Sequence, residues 1–298
     1  SKKTAIDSFN IANGSIAASD AGQTLIDTIL KIDTCNGTFI TAFQIGADTL
    51  TKTPSYVDMD GAEAFYNDSN RLIQIGGWFG PGLSHNEIHY SDDNGRTWTQ
   101  AANAAWSGRH AFGFVKHGGF YYVISSDNDA TGTAPKEVWK SATTDGLTWT
   151  LVTNAAAWSN RTYIGAVSFN GALWAFGGQP LPLVASALQD VWKSTDNGVT
   201  WVQQCASCSP NVGNLANNVV VYNGKIWIIG GEIAGGAANR FKTVYSSVDG
   251  VTWVAEADLP IVDGVSYPRA FVFDGKLWFY GGYSTTLTNT NYLYWTTD

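Results

Sequence analysis

Asn170-Gly171-Ala172-Leu173-Trp174-Ala175-Phe176-Gly177-Gly178, followed by Val191-Trp192-Lys193-Ser194-Thr195-Asp196-Asn197-Gly198-Val199-Thr200-Trp201, contains the repeating unit of this chain. Asn-Gly takes the positive φ values of a tight primed turn, so Asn170-Gly171 predicts a hairpin between two apolar strands. Gly177-Gly178 ends the second strand. A third strand, Val191 to Ser194, then runs into Asp196-Asn197-Gly198, where Asp bonds its own backbone and Gly supplies a second tight turn. Trp201 opens a fourth strand. Four strands with two tight hairpins make one propeller blade.

The unit recurs along the chain. Gly-Gly falls at Gly76-Gly77, Gly177-Gly178, Gly230-Gly231 and Gly281-Gly282, with Ser125-Ser126 where another is due. The interval of about 50 residues lies in the range of propeller and solenoid repeats. Asp68-Ser69-Asn70, His117-Gly118-Gly119, Asn223-Gly224 and Asp274-Gly275 supply the other first hairpins. The second turn returns as Asp93-Asn94-Gly95-Arg96-Thr97-Trp98, Asp145-Gly146-Leu147-Thr148-Trp149 and Asp249-Gly250-Val251-Thr252-Trp253.

This pattern resembles the kelch-repeat propellers, with turns similar to the Asp boxes of sialidase-like propellers between the third and fourth strands. The resemblance rests on the Gly-Gly after the second strand, the aromatic in the third, the Trp opening the fourth, and Arg109 and Arg161 starting first strands. It covers about residues 57–298. It implies an all-β fold: a β-propeller of four-stranded antiparallel blades forming a single domain. Such propellers include enzymes, lectins, scaffolds and virion parts, so the resemblance leaves function open.

Composition agrees with an all-β chain. The 298 residues include 32 Gly, 13 Trp, 13 Tyr and 14 Phe, and no segment sustains a helical apolar period between caps. The net charge of −8 would repel a phosphate backbone, which argues against nucleic acid as a partner. No run approaches the ~18 apolar residues of a membrane span, so membrane insertion is not expected. Residues 1–25 lack the apolar stretch of a secretory signal. The weakly charged surface, rich in Thr, Asn, Ser, Ala and Gly, suits an extracellular or virion protein.

Blade number turns on the chain ends. Leu293-Tyr294-Trp295-Thr296-Thr297-Asp298 aligns with Val191 to Asp196, so the last blade lacks its own fourth strand. Closing the ring requires that strand from the N-terminal segment, expected at about Thr4 to Ile11. Residues 1–56 would then hold the closing strand and a degenerate blade built on Thr28 to Asp33, Thr38 to Gln44 and Asp48 to Thr53. That gives six blades; the alternative is five.

The two stereotyped turns share one face, so the variable loops collect on the other, where function is expected. Trp78 lies in the first such loop. Asn103-Ala104-Ala105-Trp106-Ser107-Gly108-Arg109 and Asn154-Ala155-Ala156-Ala157-Trp158-Ser159-Asn160-Arg161 repeat an aromatic plate beside an Arg. Such a pair can stack a sugar and engage a carboxylate, or it can hold loops and pack blades. The next blade has Asn214 at the Arg position, and the last has Tyr267-Pro268-Arg269. The candidate ligand-binding set is Trp78, Trp106, Arg109, Trp158, Arg161, Tyr267 and Arg269. Asp93, Asp145, Asp196 and Asp249 are read as turn residues, and Trp98, Trp149, Trp201 and Trp253 as packing.

Catalytic alternatives lack their full sets. Sialidase chemistry needs three Arg, a Tyr nucleophile with a Glu, and an Asp acid. Arg109, Arg161, Arg240 and Arg269 with Tyr163 or Tyr267 and Glu137 or Glu232 are the available groups, but no Phe/Tyr-Arg-Ile-Pro sequence occurs. A carboxylate-pair glycosidase is a further alternative. Copper-oxidase chemistry needs two His and two Tyr, and His85, His89, His110 and His117 lie in two adjacent blades. Cys205 and Cys208 form one Cys-x-x-Cys, open to a loop disulfide, free thiols or a metal lacking two ligands. Cys35 stands alone.

The expectation is a non-catalytic propeller without cofactor or metal that recognises a glycan or another surface receptor. A structural or decoration subunit contacting other virion or complex subunits is the alternative, followed by a sialidase-like hydrolase.

Overall fold

A computed structural model describes residues 43–44, 61–78, 84–93, 95, 97–126, 132, 134–181, 186–211, 213, 218–233, 240–261, 263–284 and 292–296. The described residues form strands and turns. The described residues form six sheets: five follow one another along the chain as blades, and a two-stranded one pairs Arg161–Thr162 with Gln179–Pro180.

The first contains Glu63–Tyr66, Leu72–Ile75, Ile88–Ser91 and Thr99–Gln100; the second Gly113–His117, Phe120–Ile124, Val138–Ser141 and Trp149–Thr153. The third contains Gly165–Phe169, Ala172–Phe176, Val191–Ser194 and Val202–Cys205; the fourth Val219–Tyr222, Lys225–Glu232, Arg240–Ser247 and Val254–Ala255. The fifth pairs Arg269–Phe273, Lys276–Tyr280 and Tyr292–Trp295, and its outer strand is Phe43–Gln44, antiparallel to Tyr292–Trp295 with Phe43 opposite Leu293. Successive inner strands of the second to fifth sheets pack side by side.

Five blades, rather than six, are therefore formed by the described residues. Phe43–Gln44, expected in a hairpin of a degenerate blade, instead supplies the missing fourth strand of the last blade. The closing strand is N-terminal, as ring closure demands, but it lies well downstream of Thr4 to Ile11. That segment, Thr28 to Asp33 and Asp48 to Thr53 lie outside the described residues.

The turns have the expected backbone. Asn170 and Gly171 take φ of 48° and 72°, Asn223 and Gly224 46° and 70°, and Asp274 and Gly275 48° and 69°, the double positive φ of a type I′ hairpin. An indole ties each of these hairpins: Trp174, Trp227 and Trp278 donate Nε1–H to the carbonyls of Phe169, Tyr222 and Phe273.

The second turn is equally regular. In the third blade the Ser194 hydroxyl donates to Asp196 Oδ1 at 2.7 Å and accepts the Gly198 N–H at 2.9 Å. The Thr200 hydroxyl donates to Asp196 Oδ2 at 2.6 Å, and Trp201 Nε1 donates to the Gly198 carbonyl at 3.0 Å. Asp93 and Asp249 make related bonds in the first and fourth blades. These aspartates are spent on their own loops.

Apolar clusters join consecutive blades. Ile73, Ile75, Phe112, Val123 and Trp149 lie between the first and second; Val115, Ile124, Ile164, Leu173 and Trp201 between the second and third. Val167, Trp174, Ile226 and Ile228 fill the third junction, and Tyr222, Ile229, Leu277 and Phe279 the fourth. Burying each Leu or Ile contributes roughly 1.5–3 kcal/mol. At the seam between the fifth and first blades, Arg269 donates to both carboxylate oxygens of Glu63.

Candidate functional site at the channel mouth

Opposite the short turns lie the Gly-Gly ends of the second strands and the segments leading into the inner strands. There the backbone turns sharply before each of four inner strands: Gly61, Ala111, Tyr163 and Tyr267 have φ of 60°, 51°, 57° and 54°. The Ala111 N–H donates to the Gly61 carbonyl and the Tyr163 N–H to the Ala111 carbonyl, both at 3.1 Å. These residues form a collar around the propeller axis.

Left-handed backbone is costly for a bulky side chain, and such outliers concentrate at functional positions. Tyr163 and Tyr267 belong to the third and fifth blades, yet their rings meet edge to face with centroids 5.5 Å apart. The contact joins two blades that have the fourth between them in the chain. Tyr267 is 40% exposed and Tyr163 partly so. Below Tyr267, Arg269 binds Glu63 at 2.6 and 3.1 Å and the Ala62 carbonyl at 3.2 Å. Burial opposes the charge of Arg269, but the Glu63 carboxylate more than offsets it and holds the guanidinium above its usual range.

Trp78 is on the first-blade rim of the same face. Its ring centroid lies 6.3 Å from that of His110, the residue preceding Ala111 in the collar, and the Ser84 hydroxyl contacts His110 Nδ1 at 3.3 Å. Trp78, Tyr267 and Arg269 of the candidate set therefore lie on or near the mouth and retain some exposure.

The other four candidates are placed differently. Trp106 and Trp158 are 2% and 1% exposed, and each ring is boxed edge to face by two others: Trp106 by Trp139 and Trp149, Trp158 by Trp192 and Trp201. Neither indole offers a plate to solvent. Arg109 and Arg161 are also buried. Arg109 donates to Glu137 Oε2 at 2.7 Å, and Trp139 Nε1 donates to the same oxygen at 2.7 Å. Arg161 grips both oxygens of Asp190, whose Oδ2 also accepts Trp192 Nε1 at 2.8 Å. Burial pulls Arg109 below its ordinary pKa, with Glu137 working against that shift.

The repeated Trp, Arg, carboxylate and second Trp thus form a brace inside each of two blades. The carboxylate lies two residues before the third-strand Trp, a spacing visible in Glu137-Val138-Trp139 and Asp190-Val191-Trp192, whereas its pairing with Arg109 or Arg161 spans 28 or 29 residues and has no local sequence signal. In the first blade the equivalent sequence is Glu87-Ile88-His89, and His85 Nδ1 contacts Glu87 Oε2 at 2.8 Å. Arg240 pairs with Glu232 at 2.9 Å in the fourth blade.

The four arginines considered for a sialidase-like cluster hence lie in four different ion pairs. Among the described residues no group of three or more His, Cys, Asp or Glu has metal-binding placement. No described helix is long and apolar enough to cross a membrane. Cys205 and Cys208 form a disulfide, the first of the states their spacing left open.

Five antiparallel blades in sequence, four of them four-stranded sheets and the fourth extended to six strands by Val265–Ser266 and Tyr283–Ser284, define a β-propeller. No family model matches the sequence, and no curated protein matches it. Among solved structures the chain is similar to that of YjhT, with a TM-score of 0.64 and 14% identity over 79% of this chain and 80% of that one. At that identity the likeness concerns the fold.

Proposed function

We propose that this chain is a non-catalytic recognition propeller of the kelch-like type with Asp-box turns, acting outside the cell or on a virion, and that it binds a glycan at the channel mouth. The observation that carries the reading is the Tyr163–Tyr267 pair: two aromatic rings in costly left-handed backbone, from blades that are not neighbours, meeting at the mouth of a rigid scaffold. Aromatic faces with polar tips suit the apolar faces and hydroxyls of a sugar ring. Trp78 and Arg269 flank the mouth and extend the surface. The buried Trp106, Trp158, Arg109 and Arg161 support it from beneath.

The test is a glycan array read for retained protein and for loss of terminal sugars. Retention without cleavage, abolished by Tyr267→Ala with the melting temperature unchanged, supports the reading; sugar loss would establish a hydrolase instead.

A second reading, a structural or decoration subunit, is favoured by one observation. Val202 and Val254, at equivalent positions on the outer strands of neighbouring blades, are 63% and 55% exposed. Silence on the array together with partner-dependent assembly that Val202→Lys disrupts would favour it.

A further inference from the structure

We propose that the ligand of the channel mouth is an uncharged sugar and that glycans ending in a carboxylate are discriminated against. This rests on the glycan-binding reading above and goes beyond it in assigning the ligand's charge. A site for an acidic sugar needs a cation whose charge is not already compensated, since a carboxylate gives up its water only for a charge-assisted partner.

Four described arginines of this face each hold a carboxylate, Arg109 and Arg240 through one nitrogen and from buried positions. Arg109 holds Glu137, Arg161 holds Asp190, Arg240 holds Glu232 and Arg269 holds Glu63. Arg161 and Arg269 engage both oxygens of their carboxylates, which uses the fork that a ligand carboxylate would otherwise occupy. Each pair adds no net charge to the mouth. The chain as a whole carries −8, so an anionic glycan approaches against the field at low ionic strength. Around the described Tyr163–Tyr267 pair, aromatic rings and the charge-compensated Arg269–Glu63 pair meet a ligand, a surface matched to stacking and hydroxyl contacts.

The experiment measures binding of the intact protein to glycans ending in galactose, mannose or N-acetylglucosamine and to matched glycans capped with sialic or glucuronic acid, at low and high salt. The expected result is at least tenfold tighter binding of a neutral member than of its capped counterpart, with little salt dependence for the neutral one. Glu232→Gln and Glu63→Gln, each checked by thermal melting, should narrow that gap by unpairing Arg240 and Arg269; Glu232→Gln keeps the test available if Glu63→Gln opens the ring. Equal or tighter binding of capped glycans, lost in Tyr267→Ala, would overturn the charge assignment while leaving a glycan site at the mouth. No binding to either class would overturn both.

Discussion

Arg269 and Glu63 are 206 residues apart in sequence and face each other across the seam where the fifth blade meets the first, with Nη1 to Oε1 at 2.6 Å and Nη2 to Oε2 at 3.1 Å. Apolar clusters join the other consecutive blades, so this pair is positioned to act as a clasp. Arg269 is 28% exposed and Glu63 11%, which places the bond between a surface pair and a buried one. Arg269→Ala should cost about 1–3 kcal/mol in urea unfolding, because it strands a largely buried carboxylate. Glu63→Gln/Arg269→Gln should recover part of that loss, since neither charge is left unpaired. A double variant no better than Arg269→Ala would show that the guanidinium acts through packing.

Turn glycines do more than permit a backbone shape. Gly250 has φ of 79°, and a Cβ there would come within 2.7 Å of the Trp174 ring on the preceding blade. Gly275 has φ of 69°, with nothing within 4 Å of such an atom. Gly275→Ala should therefore lose about 1–2 kcal/mol for left-handed backbone alone. Gly250→Ala should lose about 2–4 kcal/mol, the excess coming from displacement of Trp174. Equal losses in paired urea melts would rule out blade seating as the second role.

Two histidines set the response to mild acid. Burial holds His89 below its ordinary pKa, with Glu87 pulling it back up and His85 pushing it further down; burial and then Lys140 lower His117. In the unfolded chain both titrate near 6.5, so between that pH and their lower folded values the unfolded state binds more protons. Stability should be flat above about pH 7.5 and fall as pH drops through 6.5. His89→Gln/His117→Gln should flatten the melting temperature between pH 7.5 and 5.5. The turn aspartates act in a separate window. Burial opposes the charge of Asp196 and Asp249, but hydrogen bonds led by Thr200 and Thr252 outweigh it and hold both below 3.8. Their contribution is present above about pH 4 and disappears below it.

Much of the fold was legible because its signals are local. Asn170-Gly171 and Asp196-Asn197-Gly198 dictate their turns through φ and side-chain bonds spanning a few residues. The blade number was not, because Phe43–Gln44 finds Tyr292–Trp295 across almost the whole chain and nothing in its own sequence names that partner. The site divides the same way. Trp-Ser-x-Arg is conspicuous because it repeats, but repetition reflects the brace that the second and third blades share. Tyr163 and Tyr267 hold the same position in the third and fifth blades, but their contact forms across a whole intervening blade, so no local signal marks them as a pair.

That division separates two kinds of substitution. Trp158 is 1% exposed and boxed by Trp192 and Trp201, so Trp158→Ala should cost about 3–5 kcal/mol and lower ligand binding only as the fold is lost. Tyr267 is 40% exposed and its backbone is left-handed, so Tyr267→Ala should leave the melting temperature nearly unchanged while abolishing retention on the array. Tyr267→Gly removes the ring and relieves the backbone, and it should melt slightly higher than the parent while binding no better than Tyr267→Ala. Melting and retention measured side by side on these three variants decide the matter: if Tyr267→Gly gains stability yet keeps its ligand, the strained tyrosine is not the binding group and the mouth is not the site.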